Sequence, residues 1–333
     1  MKKEEIFTKL KSLNLDYDNC IIIGGASLVV QDLFEETSDI DFACTKEYYN
    51  SIDWDYDSTI DDGTVLKVKD CYSISNTFYD SENYITINGY KFMTVEKVYE
   101  IKLGLNRKKD QKIIKKLDLY LCQKDNYRYE RKLKEKGVSF IAGVDEVGRG
   151  PLVGPVVAAC VVLPDNYDLD GLTDSKKLSE KKRDYFYDKI KKQALGVGVG
   201  VISEKIIDEV NIYEATKMAM KEAINNCLKN CKIEHILIDA MPLDLDIPTT
   251  SIIKGDLKSV TISAASVIAK VTRDKMLYEL GEKYPMYDFR HNVGYPTRKH
   301  LDAISNYGII PEHRRSYGPV RDYIMNNQKE NLV

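Results

Sequence analysis

Residues 141 to 163, IAGVDEVGRGPLVGPVVAACVVL, run an apolar strand into two adjacent carboxylates, Asp145 and Glu146, turn through Gly148-Arg149-Gly150, and begin a second apolar strand. Neighbouring acids at a strand end destabilise a fold unless something neutralises them, and a divalent cation is the usual partner. The plain competing reading is a solvated turn that happens to be charged. The turn residues speak against it, because Gly148 and Gly150 bare the backbone on both sides of Arg149 and let N–H groups approach a sugar or phosphate closely. Period-two alternation puts Ile141, Gly143 and Asp145 on one side of the strand and leaves Glu146 to be redirected by the turn.

Two further acids occupy comparable places. Asp239 ends the apolar run HILID, and Asp256 follows SIIKG just ahead of a helix expected from about Thr261. The pattern after residue 138 predicts strands at 139–145, 155–163, 195–202, 235–239 and 250–254, with helices at 179–192, 211–230 and 261–282. Short connections first, then strands alternating with helices, point to an α/β fold with a mixed sheet flanked by helices. Groups at the carboxyl ends of such strands converge on a shared crevice. Four acids there would repel one another without cations. Hard oxygen ligands suit Mg2+ or Mn2+, whereas thiols and imidazoles would favour zinc. Two such ions about 4 Å apart can activate a water and stabilise the leaving oxygen of a phosphodiester.

Working back toward the start, residues 123 to 137, QKDNYRYERKLKEKG, are charged and helix-prone and read as a connection that stops at Gly137. Ahead of it lies a separate domain, residues 1–122. There the apolar strand Cys20–Ile23 ends in Gly24-Gly25, and a strand over 38–43 alternates acids with apolar residues. Strands near 64–75 and 84–92 follow, the latter with Asn88-Gly89 as a hairpin signal, and residues 94–121 read as helical.

The 333 residues fit two domains, and 43% hydrophobic with 30% charged content is that of a globular protein. No apolar run approaches the roughly 18 residues of a membrane span, and the opening MKKEEIFTKL has no apolar signal region, so a cytoplasmic protein is expected. Seven cysteines without paired spacing suit reduced thiols. A net charge of −3 does not advertise a nucleic-acid binder. Charge is uneven, with acids at Asp53, Asp55, Asp57, Asp61 and Asp62, and basic runs from Lys102 to Lys116 and from His313 to Arg321.

GVDEVGRGPLVGPVVAA, GLTDSKKLS (171–179), IKGDLKSVTISAASVIAKVTRD (253–274), GYPTRKHL (294–301) and HRRSYGPV (313–320) together resemble ribonuclease HII, over roughly residues 126–325. The resemblance implies a ribonuclease H fold for residues 138–333. It also implies metal-dependent endonucleolysis of RNA paired with DNA, including single ribonucleotides embedded in duplex DNA, leaving a 3′-hydroxyl and a 5′-phosphate. Asp145, Glu146, Asp239 and Asp256 then look like the catalytic, metal-binding carboxylates. Gly148, Arg149 and Gly150 are similar to the element that senses the 2′-hydroxyl, the group that distinguishes RNA from DNA. Tyr295 resembles the aromatic that stacks on the neighbouring deoxyribose. Lys176 and Lys177 would hold the phosphate backbone, and Ser263 and Lys270 would line the site. The rival structural readings are a surface tyrosine, a solvated start to a helix, and small residues that let a helix pack tightly. The residues before Gly294 are His291-Asn292-Val293, where many relatives carry a basic residue.

In the first domain, Gly24-Gly25-Ala26-Ser27 followed by Ser38-Asp39-Ile40-Asp41-Phe42 resembles the nucleotidyltransferase signature, over about residues 18–121. A helix start near Ser27 would offer N–H groups to phosphates, and Asp39 and Asp41 on one strand face could hold a magnesium ion. That family uses a third carboxylate on a later strand. Here Cys71-Tyr72-Ser73-Ile74-Ser75 occupies the matching stretch, with Asp70 and Asp80 outside it. An active transferase, an inactive nucleotide or nucleic-acid binder, and a structural reading of the two aspartates all stand. The leading expectation is a monomeric nuclease with Mn2+ or Mg2+, acting on RNA–DNA hybrids and ribonucleotide-containing duplexes, behind a small α+β nucleotidyltransferase-like domain that binds a nucleotide. Two alternatives stand beside it: a transferase as the main activity with the nuclease accessory, and a non-catalytic nucleic-acid-binding protein that keeps the fold.

Overall fold

A computed structural model describes residues 1–60, 65–68 and 72–330 and divides the chain into two compact units, Met1–Leu121 and Cys122–Val333. Asp61, Asp62 and Asp70 lie outside the described residues.

The first unit is built on a seven-stranded sheet. Its strands are β1 (Cys20–Ile23), β2 (Ile40–Cys44), β3 (Tyr56–Ile60), β4 (Val65–Val68), β5 (Tyr72–Ser75), β6 (Tyr84–Ile87) and β7 (Tyr90–Met93), in the order β3-β4-β5-β2-β1-β7-β6. β1 pairs antiparallel with β2 and parallel with β7, and β2 pairs parallel with β5. Asn88 and Gly89, both at positive φ, make the tight β6–β7 turn that Asn-Gly favours. Helices α1 (Lys3–Ser12), α2 (Gly24–Val30), α3 (Lys46–Ser51), α4 (Val95–Leu105) and α5 (Gln111–Lys124) complete it. The single helix expected over 94–121 is broken. Asn106 takes the left-handed conformation and caps α4, and buried Asp110 draws in Lys102 at 2.6 Å and Arg107 at 2.7 Å before α5 starts. β3 was missed because its five residues fall among acids that lower strand propensity.

The second unit carries a five-stranded sheet, β8 (Ile141–Val147), β9 (Val156–Val162), β10 (Gly196–Ile202), β11 (His235–Asp239) and β12 (Thr249–Ile252). The order is β10-β9-β8-β11-β12, antiparallel from β10 to β8 and parallel from β8 to β12. α6 (Arg128–Lys134), α7 (Glu180–Gln193), α8 (Glu204–Val210), α9 (Ile212–Leu228), α10 (Val260–Lys283), α11 (Phe289–Asn292), α12 (Arg298–Tyr307) and α13 (Gly318–Glu330) surround it. Alternation along fully buried β9 sorts the core. Val156, Ala158, Cys160 and Val162 pack with Ala215, Ala219, Ala223 and Cys227 of α9. Ala159 and Val161 face Val260, Ala264, Ala265 and Ile268 of α10. A sheet covered on both faces reads as a continuous apolar run, as VVAACVV does.

The charged stretch expected as a connection belongs by its contacts to the second unit. Tyr129 and Leu133 pack on Ile141, Leu237 and Ile262, and Glu130 is buried. Its carboxylate accepts from Ser259 Oγ at 2.6 Å, Thr261 Oγ1 at 2.8 Å and Thr261 N at 3.1 Å, capping α10 from more than a hundred residues away. α8 was not anticipated. No helix among the described residues is long and apolar enough to cross a membrane.

Candidate metal centre and active site

The site begins where β8 meets α10. A Cβ on Gly143 would lie 2.1 Å from Thr261 C and 2.3 Å from Ile262 N, so only glycine lets the first turn of α10 sit directly on the strand. Asp145, two residues on, therefore faces that helix. At the end of neighbouring β11, Asp239 accepts the Gly255 N–H at 2.7 Å, which ties the strand to the turn that carries Asp256. Ser263 of α10 donates to the Asp256 and Ser259 carbonyls, both at 2.9 Å. The result is one oxygen each from Asp145, Asp239 and Asp256, all within 4.8 Å of one another.

Glu146 stands apart from this trio. β8 runs on through Val147, so alternation rather than a turn sets its direction, opposite to Asp145. Its Oε1 meets Arg149 Nη1 at 3.4 Å, and its Oε2 is buried with no hydrogen-bond partner. The expectation that the turn redirects Glu146 is corrected accordingly. Its charge is still felt at Asp145, and that of Asp239 at Glu146.

The electrostatics follow from crowding buried acids. Burial first, then the charges of Glu146 and Asp239, hold the Asp145 carboxyl well above its ordinary range, against the Ser266 hydroxyl that hydrogen-bonds it. Burial also raises Asp239 and Glu146, opposed by the Gly255 N–H and by Arg149 respectively. Asp256 is pushed up to about 6 by burial, then by Asp239 and Asp174. Burial weakens the Lys176 ammonium, but Asp145, Asp174, Asp256 and Asp239 outweigh it and hold its proton more tightly than usual. A divalent cation would answer these imbalances, and Glu146 Oε2 beside the trio is among the buried side-chain oxygens without a hydrogen-bond partner.

The turn after β8 is held from behind. Gly148 has φ +92, and a Cβ there would come within 2.3 Å of Arg273 Nε. Fully buried Arg273 donates to the carbonyls of Pro155 at 3.0 Å, Val293 at 2.9 Å and Val153 at 3.0 Å. Fully buried Arg314 donates to those of Gly154 at 2.9 Å, Arg149 at 3.1 Å and Gly148 at 2.6 Å. On the open side, a Cβ on Gly150 would meet Tyr295 Cε1 at 3.3 Å, so the half-exposed Tyr295 ring flanks the turn.

The other residues singled out from sequence divide. Lys176 faces the acids, and Lys177 is exposed on the same loop. Ser263 is buried and lines the site from behind, its hydroxyl holding the carbonyls of Asp256 and Ser259. Lys270 is ion-paired with Asp274 at 2.7 Å. Asp174, Ser175 and Ser266 were overlooked. Asp174 is hydrogen-bonded to Asp256, and the Ser175 hydroxyl lies 2.9 Å from Ser266 Oγ, which reaches Asp145. All three sit inside the segments GLTDSKKLS and SVTISAASV, where the lysines drew attention and the small polar residues read as packing.

In the first unit, Gly24 has φ +62 and lies against Asp41, whose Oδ2 would be 2.8 Å from a Cβ there, and Gly25 lies against Thr37. Asp39 is exposed one residue ahead of β2, and its charge is felt at Asp41. α2 already starts at Gly24, so Ser27 lies buried inside it rather than at a helix start, donating its hydroxyl to the Met93 carbonyl at 2.6 Å. Opposite Asp41 in the parallel register sits Ser73, whose hydroxyl donates to Asp41 Oδ1 at 2.5 Å. Among the described residues no third acid joins Asp39 and Asp41.

Comparison with known proteins places the second unit. The profile of the family described as ribonuclease HII matches residues 142–319, more than half the chain. A ribonuclease HII of Bacillus cereus strain G9842 is 53% identical over 234 residues, covering 68% of this chain and 90% of that protein. One from Bacillus thuringiensis strain Al Hakam matches with the same identity and coverage. The crystal structure of ribonuclease H2 from Pyrococcus horikoshii OT3 superposes with a TM-score of 0.50 at 27% identity, over 57% of this chain and 99% of that one. With its carboxylates gathered at the ends of β8 and β11 beside α10, the chain belongs to the ribonuclease HII family and is an RNA-cleaving hydrolase, an endonuclease.

Proposed function

We propose that the second unit cuts the RNA strand of RNA–DNA hybrids and single ribonucleotides embedded in duplex DNA, leaving a 3′-hydroxyl and a 5′-phosphate. The observation that carries this is the meeting of Asp145, Asp239 and Asp256 within 4.8 Å, with Glu146 and its unpartnered oxygen alongside. These four would hold Mg2+ or Mn2+, which supplies an activated water and neutralises the leaving oxygen of a phosphodiester. Lys176, held protonated by the acids, offers a phosphate its charge, and exposed Lys177 extends that contact along the strand. The backbone of Gly148, Arg149 and Gly150 reads the ribose 2′-hydroxyl. Tyr295 beside Gly150 stacks on the next sugar, where a deoxyribose fits and an extra hydroxyl would clash. The expected working form is a monomer.

The test is Asp145→Asn in the full chain on a duplex with one ribonucleotide. Cleavage is expected to vanish while duplex affinity survives, because phosphate contacts come from basic groups. Wild-type-level cleavage by the variant would remove Asp145 from the proposed role.

For the first unit, the pairing of Asp41 with Ser73 where a third carboxylate would be needed favours nucleotide or nucleic-acid binding without transfer. It weighs against transfer as the main activity. Labelled nucleoside triphosphates with Mg2+ and a protein or RNA acceptor provide the check, against an Asp39→Ala/Asp41→Ala control. Transfer above that control would overturn this reading.

A further inference from the structure

We infer that Arg314 and Tyr317 are positioning residues that set ribose selectivity by holding the Gly148–Gly150 turn in its reading conformation. The inference rests on the proposed role of that turn. Arg314 donates to the carbonyls of Gly148 and Arg149, and the Tyr317 hydroxyl donates to Arg149 O at 2.6 Å while accepting from Arg314 Nη1 at 3.0 Å. Both carbonyls are thereby turned into the protein. Among the described residues the Arg149 and Gly150 N–H groups have no protein acceptor, so the donors of the turn are left for a ligand.

A fully buried guanidinium with only carbonyls and a phenol around it is an expensive way to fill space. Burial pulls Arg314 below its ordinary proton affinity, and no carboxylate bonds to it directly. An apolar side chain would pack the same volume more cheaply, but it could not fix two successive carbonyls with planar, forked geometry. The anchor is itself held. Asp208 of α8 accepts the N–H groups of Arg315 at 2.8 Å and Ser316 at 2.9 Å, and Arg314 N donates to Leu152 O at 2.8 Å. The brace thus runs from α8 through the 313–317 loop to the turn, without touching the acids.

Kinetics on the full chain with Mn2+ test this, using a duplex with one ribonucleotide as substrate and the all-DNA duplex of the same sequence as competitive inhibitor. Tyr317→Phe removes one hydroxyl and keeps the ring. Arg314→Lys keeps the charge and loses the fork. Per folded molecule, kcat/KM is expected to drop about fivefold for Tyr317→Phe and further for Arg314→Lys. Ki for all-DNA should stay within twofold, and the melting temperature of Tyr317→Phe within about 2 °C. Values of kcat/KM within twofold of wild type would overturn the inference, as would a loss matched by an equal rise in Ki or fall in folded fraction. If Arg314→Lys does not fold, Tyr317→Phe decides alone. Failure of the wild-type chain to cut the single-ribonucleotide duplex would instead sink the proposed function.

Discussion

Asp256→Asn should stabilise the metal-free protein while removing its nuclease activity. Asp256 is 8% exposed, and burial with Asp239 and Asp174 pushes it from an ordinary 3.8 up to about 6. A carboxyl whose folded pKa is raised adds stability below its unfolded value, near 3.8, and loses it as pH rises through about 6. The shift of about two units corresponds to about 3 kcal/mol of strain above pH 7. Asparagine carries no charge and can keep the hydrogen bond to Asp174, and the opposing attraction of Lys176 is already contained in the net shift. A net gain of about 2 kcal/mol is expected, or about 4–8 °C in the melting temperature of a unit this size. Calorimetry in chelator from pH 4 to 8 would show wild type and variant converging near pH 4 and the variant melting higher at pH 8. Mn2+ should then raise wild type more than the variant, because each lost ligand weakens binding to the folded state. A variant that melts at or below wild type at pH 8 in chelator would refute the account of a repulsive acid cluster relieved by cations.

Three other outcomes follow from the contacts. A chain starting at residue 123 should fold, whereas one starting at 138 should not, because it lacks Glu130, Tyr129 and Leu133; Glu130→Ala alone should cost about 2–3 kcal/mol in chemical denaturation. Gly148→Ala should lose at least about 2 kcal/mol and most nuclease activity, since its Cβ would meet Arg273 and its φ is positive, and circular dichroism with a cleavage assay would check both. The buried His300–His313 pair should stay neutral well below pH 6. His300 Nδ1 donates to Tyr295 O at 2.9 Å, so its Nε2 accepts from His313 Nε2 at 3.1 Å, while His313 Nδ1 accepts from Ile310 N. Burial, then the His300 charge, pushes His313 down to about 4. A base depressed in this way gives full stability above its unfolded value near 6.5 and loses it as pH falls toward 4. Imidazole NMR would show His313 titrating below pH 5, and a midpoint near 6.5 would rule the pairing out.

The strands of the second unit were legible because each carries its own signal. HILID and VVAACVV are short, apolar and bounded by turn residues, and their ends landed within a residue or two of β11 and β9. The acids at strand ends were legible for the same reason, since a charge that interrupts an apolar run is a local anomaly. Glu146 was misjudged because strand length depends on pairing with β9 through Val157, which no local pattern states. The break at Asn106 escaped notice because it is set by Asp110 gathering Lys102 and Arg107.

By itself the sequence determined the α/β alternation, the family motifs and which carboxylates stand where strands stop, because these rest on periodicity and on chemistry between near neighbours. Only the tertiary structure decided that Glu130 caps α10, that Asp174 leans on Asp256, and that Arg273 and Arg314 grip the turn after β8. Those contacts join residues up to 166 positions apart. A buried arginine bound mainly to carbonyls leaves little trace in composition or spacing, since those partners are backbone groups that every residue possesses.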